Sequence, residues 1–89
     1  MSLNAVFDAL SHPLRRKVLA LLRSGPLSAG ELAEHFEVTK PTLSAHFAKL
    51  KDAGLVTVER RGTSLIYTLN MSILEEALSN FLAFRDPQE

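Results

Sequence analysis

Cysteine is absent from the sequence, and disulfides, thiolate catalysis and cysteine-ligated zinc are excluded with it. Long apolar runs are missing as well: no stretch approaches the roughly 20 residues that span a bilayer. The opening Met1-Ser2-Leu3-Asn4 lacks the basic region and apolar core of a signal peptide. The expectation is a soluble, cytoplasmic protein with no membrane insertion. Catalytic signatures are equally scarce. There is no glycine-rich phosphate loop and no nucleophile motif. Glu75 and Glu76 are adjacent and point to different parts of a helix surface, so they make no close acid/base pair. The chain reads as a non-enzyme without a cofactor.

Net charge is the next absence, since ten Lys and Arg balance ten Asp and Glu. The distribution is uneven. Residues 38–64 carry Lys40, Lys49, Lys51, Arg60 and Arg61 against Asp52 and Glu59, five minus two, or +3. Residues 65–89 carry Arg85 against Glu75, Glu76, Asp86 and Glu89, one minus four, or −3. A basic middle segment is a candidate footprint for nucleic acid, because binding responds to the local field and not to the total.

Size supplies another constraint. A chain of 89 residues makes one domain and buries only about 60–65% of its unfolded surface. With no disulfide to help, a second copy is the natural aid, and a homodimer is expected.

Helical spacing of Leu3, Val6, Phe7 and Leu10 predicts a first helix. Ser11-His12-Pro13 interrupts it, and Pro13 suits the first turn of a second helix. There Leu14, Val18, Leu21 and Leu22 form the apolar face, with Arg15, Arg16 and Lys17 around the other. Ser24-Gly25-Pro26 ends it. Ser28 and Glu31 have the spacing of a capping box, and the helix they begin buries Leu32, Ala33 and Phe36. After a short turn, Thr39 caps a helix running to about Ala53 and stopped by Gly54, with Leu43, Phe47 and Leu50 inward. The period then falls from 3.6 to 2. Val56 and Val58, then Leu65, Tyr67 and Leu69, flank the turn Arg61-Gly62-Thr63-Ser64, and Tyr67 is expected in the core. Asn70 or Ser72 can cap a last helix carrying Ile73, Leu74, Ala77, Leu78, Phe81 and Leu82. Asp86 to Glu89 read as a frayed tail.

This order predicts a mainly α fold with a small β-hairpin: a winged helix-turn-helix of five helices and a two-stranded antiparallel wing. It is one domain over residues 1–89, with dimerisation helices at both ends. The helix from Lys40 turns Lys40, Pro41, Ser44, Ala45 and Ala48 outward, with Thr42 and Lys49 at the flank. Small side chains let such a helix sit deep in a major groove, where a hydroxyl or an ammonium meets base edges or phosphate. Arg60, Arg61 and Gly62 at the hairpin tip suit a backbone or minor-groove contact. A solvated helix face and a charge-protected β-edge are the plainer alternatives.

At this point the sequence resembles the ArsR family of bacterial repressors. His12-Pro13-Leu14-Arg15-Arg16-Lys17-Val18-Leu19 is similar to that family's D-P-x-R-x-x-I-L. Gly30-Glu31-Leu32-Ala33, Thr39-Lys40-Pro41-Thr42-Leu43-Ser44 with His46 and Leu50, Ala53-Gly54-Leu55-Val56, and Arg61-Gly62 followed by Tyr67 and Leu69 extend the likeness from about Val6 to Leu82. It looks closest to a short, cysteine-free branch. The resemblance implies dimeric, winged-helix binding to an operator in double-stranded DNA, with Lys40, Pro41, Ser44 and Ala45 at base-reading positions.

Two departures bear on function. Metal-sensing members carry a cysteine-containing box near Glu31–His35, or His and Asp ligands on the last helix. Here the first stretch reads Glu31-Leu32-Ala33-Glu34-His35 and the last helix has no His, so no metal site is expected. Ala45 stands where many relatives have His. The expected DNA-binding residues are Lys40, Pro41, Thr42, Ser44, Ala45, His46, Lys49, Arg60, Arg61 and Gly62, with His46 beside the reading face, near phosphate, and His12 at a helix junction. The expected dimer interface is Leu3, Val6, Phe7, Leu10, Leu74, Ala77, Leu78, Phe81 and Leu82. Two rival readings stay open: a winged-helix module docking on protein, and a ligand- or metal-gated sensor whose inducer is unknown.

Overall fold

Ser2 starts the fold by accepting the Ala5 N–H (3.2 Å), which caps helix α1, Leu3–Leu10. The computed structural model describes residues 2–83; the expected frayed tail from Asp86 to Glu89 lies outside them. The described elements follow as α2 (Pro13–Leu22), β1 (Leu27–Ser28), α3 (Ala29–Ala33), α4 (Lys40–Asp52), β2 (Val56–Arg61), β3 (Ser64–Leu69) and α5 (Met71–Leu82). None of these helices is long and apolar enough to cross a membrane.

The helix boundaries come from local chemistry. His12 caps α2, its Nδ1 accepting the Leu14 N–H at 3.0 Å, with Pro13 in the first turn. The capping box at α3 is complete. Ser28 Oγ accepts the Glu31 N–H (3.0 Å), and Glu31 Oε1 accepts the Ser28 N–H (2.8 Å). This helix is only five residues long, so Phe36 lies beyond its end, half-buried, with the Lys17 ammonium 5.1 Å from the ring centre. The His35 and Phe36 N–H groups bond to Leu32 and Ala33, three residues back, which tightens the chain before α4. Gly54, at φ +81°, ends α4 in a Schellman motif. Its N–H reaches the Lys51 carbonyl (2.9 Å), and the Leu55 N–H reaches that of Leu50 (3.0 Å).

The hairpin is joined by the two residues Gly62 and Thr63, with Gly62 at φ +61° in the first loop position, as a type II′ turn requires. The sheet has one strand more than the expected two. β1 pairs antiparallel with β3, Leu27 opposite Tyr67, giving the order β1-β3-β2. The two-residue β1 runs straight into the cap of α3, so it anchors the front of the helix-turn-helix to the wing.

Val6, Leu32, Leu50, Leu55 and Ala77, all fully buried, draw every long helix, α3 and the base of the wing into one core with Val18. Phe47 and Tyr67 are buried side by side, ring centres 4.7 Å apart, and burial pushes the Tyr67 hydroxyl above its ordinary pKa. One expectation is corrected in α2. Its buried stripe is Arg15, Val18, Leu19 and Leu22, so Arg15 does not belong to the solvated face. Leu14 and Leu21 are half-buried against the same core.

Candidate nucleic-acid interface

Helix α4 is pinned at its start. Thr39 Oγ1 accepts the Thr42 N–H (3.3 Å), and its hydroxyl donates to Thr42 Oγ1 (2.9 Å). With the first turn held, Leu43, Phe47 and Leu50 drop into the core, and Lys40, Pro41, Thr42, Ser44, Ala45 and Ala48 stand exposed. The exposed face therefore has one cation, one free-standing hydroxyl at Ser44 and short side chains. A shallow cavity of about 250 Å³ between α3 and α4 is lined by Ala29, Gly30, Ala33, Lys40, Leu43, Ser44 and Phe47.

The two other α4 residues in the expected set are each engaged by a group of the chain itself, Lys49 while still more than half exposed. Lys49 Nζ lies 2.6 Å from Asp8 Oδ2 on α1, which holds the Asp8 carboxyl below its ordinary pKa. His46 is partly buried, and its Nδ1 lies 2.9 Å from the Arg15 guanidinium. Its ring lies against that of His12, centres 4.5 Å apart. Burial, then the neighbouring His12 and Arg15, hold the His46 imidazole below its usual pKa. His12 sits at the helix junction, as expected.

Arg15, expected on the solvated face of α2 and matched to the arginine of the D-P-x-R-x-x-I-L pattern, takes an unexpected part in the site. It is buried, 8% exposed, and donates to the Ala9 carbonyl (2.8 Å), the Asp8 carbonyl (3.1 Å) and His46. The guanidinium thus neutralises the carbonyl end of α1 and reaches α4 as well. A signal was present, since Arg15 lies three and four residues before the buried Val18 and Leu19.

At the wing, Arg60, Arg61 and Gly62 are exposed, and Arg61 pairs loosely with Glu59 at 3.3 Å. Among the described residues Lys40, Lys51 and Arg60 have no ion pair. Glu31 spends its carboxylate on the α3 cap, and no group of three His, Asp or Glu side chains comes together among the described residues.

Leu78, Phe81 and Leu82 of α5 are 42–46% exposed. Phe7 of α1 packs edge-on to Phe81. Val6 and Ala77, expected in a dimer interface, are fully buried inside this chain and have no surface to offer another. Leu3, Leu10 and Leu74 are half-buried against the chain's own core.

Residues 10–59 match the family model described as a helix-turn-helix domain. The chain is 42% identical over 82 residues to the transcriptional repressor SdpR of Bacillus subtilis, covering 92% of this chain and 91% of that protein. It is 41% identical over 73 residues to an arsenical resistance operon repressor of Staphylococcus xylosus, covering 82% and 70%. A crystal structure of an ArsR family transcriptional regulator superposes with a TM-score of 0.87 at 30% identity, covering 97% of this chain and 88% of that one.

Proposed function

The chain belongs to the ArsR family of helix-turn-helix transcriptional regulators, which are not enzymes, and on that premise we propose that it represses transcription by occupying an operator as a homodimer. The observation that carries this reading is the exposed start of α4. Lys40 and Ser44 stand one turn apart, opposite the buried Leu43, Phe47 and Leu50. One insertion into a major groove brings both to base edges. Pro41 and Ala45 lie on the same exposed face, small enough for close approach. Thr42 keeps the first turn in shape. Arg60 and Arg61, flanking the Gly62 turn, hold phosphate or a minor groove and set the register of the protein on the duplex.

A second copy completes the protein. Leu78, Phe81 and Leu82, with Phe7 beside them, form an apolar face that one 89-residue core leaves in water. Pairing through α1 and α5 covers it, and two-fold pairing implies an inverted-repeat operator. The whole chain serves as this one domain, acting in the cytoplasm. Metal sensing has no part in the proposal, because Glu31 is used in a cap and α5 offers no His.

The test is a gel shift with a duplex selected from random sequence by the purified protein, beside unselected duplex at the same salt. Preferential binding supports the reading. Binding to neither, with capture of a protein partner in its place, would establish the rival interaction module.

A further inference from the structure

Helix α4 is carried by an unusual piece of polar structure for so small a core. Arg15 is the one buried charged side chain among the described residues. Its three donor contacts end on two elements, the carbonyl end of α1 and the side of α4. An apolar side chain in its place could fill the volume, but only a forked donor ties the two helices together in one geometry. We propose that the Arg15–His46 hydrogen bond is the joint that sets the angle of the reading helix on the body of the protein, so that Arg15 is a positioning residue for base recognition. This rests on the reading of α4 as the DNA-reading helix and adds what holds that helix in place.

The chemistry of the joint is one-sided. A guanidinium donates and never accepts, so His46 Nδ1 must be bare and its proton must sit on Nε2. Adding a proton to Nδ1 removes the acceptor and sets imidazolium against guanidinium. Among the described residues no carboxylate acts on His46 to offset this. Asp8 on α1 is held by Lys49 of α4, and His12, at the head of α2, also uses its Nδ1 as an acceptor. Arg16 is turned to the Leu10 carbonyl, and Lys17 to that of His35. The groups facing His46 are thus a cation and a second imidazole, and both oppose its protonation. Because the folded value is depressed, the joint is whole at and above the ordinary histidine value of 6.5 and is lost only as pH falls through the lower, folded value. Helix α4 can then stay folded on Leu43, Phe47 and Leu50 while its register on α1 loosens.

The test compares wild type, Arg15→Met and His46→Gln on a duplex selected by the wild type at pH 8 and on an unselected duplex of equal length. The glutamine keeps an acceptor for Arg15 but does not titrate. Wild type is expected to lose about tenfold in its selected-to-unselected affinity ratio between pH 8 and about one pH unit below the His46 midpoint that nitrogen NMR of the free protein reads. His46→Gln should change by less than about twofold over the same range. Arg15→Met should cut the ratio about tenfold at pH 8 while unselected binding falls less than about threefold. Nitrogen NMR of His46 without DNA gives an independent reading, and should show a bare Nδ1 in wild type. If Arg15→Met does not fold, the His46→Gln pH profile and the NMR signal decide. A wild-type ratio that does not move with pH, a His46→Gln profile parallel to wild type, or a protonated Nδ1 at pH 8 overturns the joint with DNA binding intact. A wild type that binds no duplex at pH 8 overturns the DNA-reading assignment itself, and the positioning role with it.

Discussion

The Phe7 ring of α1 meets the Phe81 ring of α5 edge-on, with centres 5.0 Å apart and planes at 62°. The pair joins the two ends of the chain into one apolar surface, on which Phe81 stays 46% exposed beside Leu78 and Leu82. Phe81→Asp puts a charge on that surface without opening the Leu50–Leu55 core. Light scattering at micromolar concentration should give a dimer mass for the wild type and a monomer, or an unfolded chain, for the variant. A wild-type monomer would contradict the assembly.

Ionic strength gives the second expectation. Each protomer presents Lys40, Lys51, Arg60 and Arg61, while Lys49 is already paired with Asp8. If about six to eight phosphates are neutralised by a dimer, the log–log slope of affinity on salt is about −5 to −7. Arg61→Ala should weaken selected and unselected duplex alike, since phosphate contacts position without reading sequence. A slope near zero would remove the basic segment from the footprint.

Asp8→Asn isolates the Lys49 pair. The variant releases one cation per protomer, and the salt slope should steepen by up to about 2 if both lysines then meet phosphate. The pair also has a pH signature. Because the folded Asp8 carboxyl titrates below its ordinary value, its stabilisation is present above that value and disappears as pH falls through the folded one. Acid unfolding curves of wild type and Asp8→Asn should therefore converge at the acid end. The difference should be small, since both side chains are more than half exposed.

Specificity should reside in Lys40 and Ser44. Each alanine variant is expected to cost operator binding about 1–3 kcal/mol per lost contact in each half-site. Unselected duplex should lose much less, mainly through the Lys40 charge. Ala45→His adds a donor–acceptor group where only a methyl stands, and selection from random sequence should return a different half-site. The half-sites should lie about 10 base pairs apart, one helical turn. An unchanged affinity ratio for Ser44→Ala would take this residue off the bases.

Metals should leave DNA binding untouched. Glu31 is engaged by the Ser28 N–H at 2.8 Å, and His35, four residues along, has no third donor beside it among the described residues. Micromolar zinc or copper that released the protein from its duplex would point to the gated-sensor reading.

Much of this protein is decided by a few neighbouring residues at a time. The Ser2, His12, Ser28 and Thr39 caps, Pro13 in its first turn, the Gly54 stop and the Gly62 turn all act within five residues, and they place the helices and the wing. Periodicity likewise found the inward Leu43, Phe47 and Leu50 and so, by subtraction, the exposed Lys40 and Ser44. The rest depends on residues far apart in the chain. A two-residue strand such as β1 has too little pattern to read, and exists because Leu27 finds Tyr67, forty residues on. Lys49 and His46 look like outward groups on a helical wheel. Asp8 and Arg15, 41 and 31 residues away, engage them, Lys49 at the surface and His46 partly buried. Val6 and Ala77 carry the same apolar signal as Phe7 and Phe81. Only the packing of α1 against α5 decides that Val6 and Ala77 are buried at home while Phe7 stays half-buried and Phe81 exposed, because periodicity assigns a residue to a face and says nothing of what that face meets.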